Sequence, residues 1–172
     1  MKKLFIFLFL VSIISCNDES TSVKNEDKIF DVQNLSKLEL DNFDTFWEGE
    51  EINNISDDIT ANFNSHPNFL KAIRYSSNNK IIGVSVFKNR SDAISAMEKR
   101  INTVACVILD GDSLLFNNKK WWKSDCIPDM IFLNQCNTII EVGCYSENYQ
   151  EIETFLIQSV NELANRVFKL SH

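Results

Sequence analysis

Glycine, proline and histidine are scarce in this chain of 172 residues, at four, two and two. So few glycines and prolines argue against a loop-rich scaffold. The glycines form no cluster, which excludes a glycine-rich phosphate loop. With only His66 and His172, no Cys/His pair falls at zinc-ligand spacing. A Cys–His hydrolase needs a histidine beside its nucleophile, and nothing in the sequence brings His66 to a cysteine. Cys126-Ile127-Pro128-Asp129, after Trp121-Trp122, lacks the second cysteine of a thioredoxin-type redox site. Asp110-Gly111-Asp112-Ser113 lacks the remaining ligands of a calcium loop and reads as a solvated turn. The expectation is a non-catalytic protein with no metal and no cofactor.

A membrane-spanning run is also missing. Leu4 to Ile14 is apolar for 11 residues, broken only by Ser12, and a spanning helix needs about 20. Met1-Lys2-Lys3 precedes the run and Ile13-Ile14-Ser15-Cys16 follows it. A basic start, a short apolar core and a small residue before the cut fit a secretory signal. The arrangement Ile13-Ile14-Ser15-Cys16 resembles the lipobox of bacterial lipoproteins. The resemblance covers residues 1–16 only. It implies a signal peptide over 1–15, acyl chains such as palmitate on Cys16, and a cell-envelope address, periplasmic or surface-exposed. Several acyl chains anchor stably where one is marginal. Asn17 to Ser22 is wholly polar, so residues 16–28 read as a lipidated cysteine and flexible tether. Residues 29–172 then form a single domain.

Positive charge is thin as well. Net charge is −7, and loss of Lys2 and Lys3 takes 17 basic residues to 15 against 24 acidic, or −9. Such a surface repels nucleic acid and favours a basic protein as partner.

What is present in quantity is apolar: 44% of residues, with 13 Phe. Residues 70 to 88 hold two β-rich runs around Ser77-Asn78-Asn79, a turn sequence. A helical pattern follows, with Ser91 as cap, Asp92 in the first turn, and Ile94, Met97, Ile101, Val104 and Ile108 at helical spacing. Shifted by 58 residues the pattern recurs. Asn79-Lys80-Ile81-Ile82-Gly83-Val84 matches Asn137-Thr138-Ile139-Ile140-Glu141-Val142 at four of six positions. The second helix begins near Asn148, with a stripe of Ile152, Phe155, Leu156, Ser159, Val160, Leu163 and Val167. Two-residue turns pair Tyr75 with Ile82, Ile73 with Val84, Leu133 with Ile140 and Ile131 with Val142. The predicted fold is α+β: two ββα repeats, about 70–107 and 130–170, making a four-stranded antiparallel sheet with both helices on one face. Another helix is expected over Asp57 to Asn64, and a strand over Ser113 to Phe116.

An exported chain meets an oxidising compartment, so Cys106, Cys126, Cys136 and Cys144 suggest two disulfides. Cys136 sits at a turn and Cys144 eight residues along one strand, roughly 26 Å away at about 3.3 Å per residue. Bridged Cα atoms lie about 4.4–6.8 Å apart, so these two do not pair. Asp129 falls opposite Cys144 with Cys126 close by, favouring Cys126–Cys144 with Cys106–Cys136.

Two segments are candidate surfaces. No lysine or arginine occurs from Leu38 to Leu70, where Phe43, Asp44, Phe46, Trp47, Glu48, Glu50 and Glu51 cluster. Aromatics in an acidic field suit docking of a basic protein. In the competing arrangement the aromatics face the core and the acids face water. Lys119-Lys120-Trp121-Trp122-Lys123 suits a lipid headgroup region, or else one Trp packs inward. The expected function is an envelope protein-binding module anchored to the membrane through its lipid. The alternatives are an immunity-type inhibitor of a basic toxin and a small-ligand-binding or sensor lipoprotein with a cleft between the sheet and residues 29–66.

Overall fold

The computed structural model describes residues 28–55, 63–101, 108–111, 121–124, 129–145 and 149–172. The expected signal segment, Cys16, the tether and the proposed helix and strand over Asp57–Asn64 and Ser113–Phe116 lie wholly or mostly outside these.

The fold is α+β, built on an antiparallel sheet. Its strands are β1 (Asn53–Asn54), β2 (Phe69–Ser76), β3 (Lys80–Phe87), β4 (Ile108–Gly111), β5 (Trp121–Ser124), β6 (Asp129–Gln135) and β7 (Thr138–Cys144). Their order is β1-β2-β3-β7-β6-β5-β4, so the four expected strands lie within a sheet of seven among the described residues. Both hairpins form in the expected register: Tyr75 opposite Ile82, Ile73 opposite Val84, Leu133 opposite Ile140, Ile131 opposite Val142. β3 and β7 then pair with each other, Ile82 against Val142 and Val84 against Ile140. The two matched six-residue segments therefore lie side by side and antiparallel, related by a local two-fold between Gly83 and Glu141.

The helices do not share a face, which corrects the expected layering. Successive strand residues point to opposite faces. Ile82, Val84, Ile140 and Val142 join the core cluster of Leu156, Val160, Leu163 and Val167, which belong to α3 (Tyr149–Leu170). Phe87 and Ile139, of the other parity, join Ala93, Ala96 and Met97 of α2 (Arg90–Ile101). The sheet is thus covered on both sides, and β3 and β7 are buried on both of their faces. The repeat holds for the hairpins and breaks at the helices.

Local chemistry explains the boundaries. Asn89, not Ser91, caps α2: its Oδ1 accepts the Asp92 N–H at 2.9 Å and the Ser91 hydroxyl at 2.7 Å. The helical stripe does not reach Ile108, which opens β4. Asp110 and Gly111 lie in that strand rather than in a turn.

The N-terminal segment completes the α3 side. Phe30 bridges to Ser171, and Ile29 and His172 exchange backbone bonds of 2.9 and 3.1 Å. Two 3₁₀ turns follow, Val32–Leu38 and Leu40–Asn42, then one helical turn, α1 (Asp44–Trp47). Leu35, Leu38, Leu40, Phe43, Phe46 and Trp47 are buried against α3 and β2.

Candidate functional site

The acidic-aromatic segment divides cleanly. Phe43, Phe46 and Trp47 are at most 2% exposed, which overturns them as docking anchors. Phe46 stacks on Phe155 at 5.4 Å and meets Trp47 edge-on at 4.8 Å. The Trp47 indole N–H donates to the Leu40 carbonyl at 2.6 Å. Arg166 covers the Phe43 ring at 4.3 Å and donates to the Leu38 carbonyl at 3.1 Å. These rings join the same core cluster as Leu40, with Ile52 packed against it.

The acids split in two. Glu48 and Glu50 flank Lys80, a lysine on β3 with only 7% of its side chain exposed. Lys80 Nζ contacts Glu48 Oε2, lies 3.4 Å from Glu50 Oε1, and sits over the Phe155 ring at 5.0 Å. Two carboxylates and an aromatic face compensate its removal from water. Glu39, Asp41, Asp44 and Glu51 are exposed, and none forms an ion pair among the described residues.

Beside these free acids lies a cleft of about 220 Å³ between the 3₁₀ turns and β2. Leu35, Leu40 and Ile73 give it apolar walls, and Glu39, Asp41 and Tyr75 give it polar groups. Burial, with the Asp41 carboxylate adding to it, holds the Tyr75 phenol above its ordinary value. The cleft lies where sequence reasoning places a ligand site, between the sheet and residues 29–66, but its lining mixes polar and apolar groups.

On the α2 face, Arg74 of β2 reaches across β3 to Glu141 of β7, with Nε and Oε1 2.7 Å apart. The contact is a close ion pair rather than an aligned hydrogen bond. Glu141 is 3% exposed in its side chain. Burial pushes its carboxyl above the usual glutamate range, opposed by the Arg74 and Arg100 charges.

The β6–β7 turn is polar and buried. Asn137 Oδ1 accepts the Phe30 N–H at 2.7 Å, and its Nδ2 donates to the carbonyls of Phe30 at 3.2 Å and Phe87 at 2.6 Å. Cys136, at φ +54°, takes the first turn position, where glycine is usual. It is a buried free thiol that accepts from Gln135 Nε2 at 3.3 Å. The expected Cys106–Cys136 bridge is therefore not formed. The turn conformation directs Cys136 into this internal cluster. Cys144 is buried opposite Asp129, as the hairpin register predicts, but it forms no disulfide, so the expected Cys126–Cys144 bridge is not formed either. Cys106 and Cys126 lie outside the described residues.

The Lys/Trp segment is part of the sheet. Trp121, Trp122 and Lys123 lie on β5, opposite Leu133, Phe132 and Ile131. Lys119 and Lys120 lie outside the described residues. His66 meets the Phe87 ring edge-on at 5.6 Å, and its Nδ1 accepts the Asn68 N–H at 3.3 Å. Among the described residues no group of three His, Cys, Asp or Glu side chains is placed to hold a metal, and no helix is long and apolar enough to cross a membrane.

No protein-family model matches the chain, and no curated protein matches it.

Proposed function

We propose that this protein is a lipid-anchored envelope lipoprotein whose α+β domain is a non-catalytic module that binds a basic protein. The anchor rests on the sequence Ile13-Ile14-Ser15-Cys16 and the short apolar run before it. The observation that carries the binding role is the exposed acidic rim. Glu39, Asp41, Asp44 and Glu51 face solvent on one stretch of chain that holds no lysine or arginine between Leu38 and Leu70. Unpaired surface carboxylates speed encounter with a basic partner and select against acidic ones. The sharpest form of this reading is an immunity-type inhibitor that neutralises a basic toxin outside the cytoplasm.

The test is capture from envelope and secreted fractions with the intact chain, identified by mass spectrometry. The control replaces Glu39, Asp41, Asp44 and Glu51 with their amides and leaves Glu48 and Glu50 to hold Lys80. A basic partner retained by the wild type and lost by the variant supports the reading. A reproducible blank, or a partner indifferent to all four acids, rejects it.

A further inference from the structure

We propose that the cleft between the 3₁₀ turns and β2 receives a single lysine or arginine side chain of the protein partner. This deepens the protein-binding reading and rests on it. The cleft holds about 220 Å³, below the roughly 300–1,000 Å³ of sites for drug-sized ligands. One long side chain is the occupant of that size that a protein surface can supply. Its lining suits the two halves of such a side chain. Leu35, Leu40 and Ile73 offer apolar wall for the methylene stem, while Glu39 and Asp41 offer carboxylates for the charged head. Both carboxylates lack an ion-pair partner among the described residues.

Tyr75 also lines the cleft, and its phenol is held above the ordinary value by burial first and by the Asp41 carboxylate second. The ring also offers a face to a guanidinium. Among the described residues the one cation in the lining is Lys71, which is exposed. Against two carboxylates it leaves a net charge of one to neutralise, so the cleft admits one cationic head and repels a second. By contrast, Glu48 and Glu50 are already occupied by Lys80, which places the vacant acidic position at the cleft rather than along the whole segment.

The experiment uses the intact chain with ring-¹³C tyrosine, followed by NMR during titration with N-acetyl-argininamide, N-acetyl-lysinamide and neutral N-acetyl-norleucinamide. The expected result is a saturable shift of the Tyr75 ring with the two cationic probes only. Its ionisation moves to lower pH as the bound cation offsets Asp41. Glu39→Gln/Asp41→Asn, at two exposed positions, weakens binding at least tenfold without lowering the melting temperature. No shift, an equal shift with the norleucine probe, or an unchanged double variant overturns the proposal. The partner arm separates the two readings. Capture that survives Glu39→Gln/Asp41→Asn but is lost when Asp44 and Glu51 are also replaced leaves the protein-binding reading standing and removes the cleft from it. A cleft that titrates while no partner is captured rejects the protein-binding reading and assigns the site to a free amine.

Discussion

Gly83 and Glu141 lie directly opposite each other on β3 and β7, and the glycine leaves open the space the carboxylate fills. A Cβ at Gly83 would stand 2.9 Å from Glu141 Oε1, 3.1 Å from Glu141 Cγ and 3.3 Å from Arg74 Cγ. Arg74 is the register partner of Gly83 on its other side. The ion pair therefore passes over the middle strand at the only position without a side chain. The same pair of positions is one of the two at which the matched segments differ, Gly in one and Glu in the other. The mismatch is a fit: one copy supplies the charged group and the other the room for it.

Gly83→Ala is predicted to destabilise the fold by about 1–3 kcal/mol, the usual cost of overpacking a filled site. Urea unfolding of wild type and variant measures it. An unchanged midpoint would show that the pair relaxes freely and that the glycine is incidental.

The Arg74–Glu141 pair is expected to be asymmetric. Arg74→Met leaves Glu141 buried without its nearest cation, approaching the roughly 3–5 kcal/mol cost of a broken buried pair. Glu141→Leu with Arg74→Met removes both charges, and the double variant is predicted to lie within about 1 kcal/mol of the wild type. A double-mutant cycle by urea unfolding decides. Additive losses from the two single changes would show that the charges do not interact.

Much of this centre was legible in the sequence, and the reason is physical. A two-residue turn fixes hairpin register, so Asn78-Asn79 and Cys136-Asn137 located every pairing from Ile73 to Val84 and from Ile131 to Val142. The side of the sheet each helix covers was not legible. Ile81-Ile82 and Ile139-Ile140 are apolar on both parities, so alternation carries no sign of which face is inner. α2 packs through Ala93 and Ala96, small residues that sequence reasoning passed over for Ile94. Four-residue strands such as β4 and β5 give too little periodicity to read, and Ile108 of β4 falls at the spacing of the preceding helical stripe. In the acidic segment, both arrangements of Phe43, Phe46 and Trp47 were open. Burial of all three decides for the core, while the cleft formed by Tyr75 and Asp41 needed the fold to bring residues 34 positions apart together.

Glu141 gives the stability a particular pH dependence. Its folded-state carboxyl titrates above the usual glutamate range, so the folded chain holds a proton that the unfolded chain has released. Relative to Glu141→Gln, wild-type stability is therefore highest at low pH and falls as pH rises from that range through the folded value. Urea unfolding of both proteins across pH 4 to 8 measures the difference, on the order of 1.4 kcal/mol for each unit the titration is displaced. A difference that rises with pH would mean that Arg74 and Arg100 outweigh burial.

Lys80 makes the reverse comparison. Its side chain is 7% exposed while that of Glu48 is 66% exposed. Lys80→Met frees carboxylates that can turn to water, and is predicted to cost below about 1 kcal/mol. Glu48→Gln/Glu50→Gln leaves a buried ammonium whose remaining neighbours among the described residues are the Phe155 and Phe46 rings, and is predicted to cost more, toward roughly 3 kcal/mol. Thermal unfolding ranks the two, and the opposite order would show that Lys80 escapes to solvent.

Asn137 holds the N-terminal segment to the sheet. Its three side-chain bonds tie Phe30 to Phe87 at a position 1% exposed. Asn137→Ala leaves the Phe30 N–H and the two carbonyls without that partner, each buried unmet group costing about 1–3 kcal/mol unless water enters. Water reaches the Phe30 end by loosening the segment before it reaches the sheet interior. The loss is therefore predicted to be local first. Hydrogen exchange should accelerate at Phe30 and Ile29 by at least tenfold, while the amides of Val84 and Val142 keep the rate set by global unfolding. Uniform acceleration across all four amides would show that Asn137 stabilises the whole sheet and not the docking of this segment.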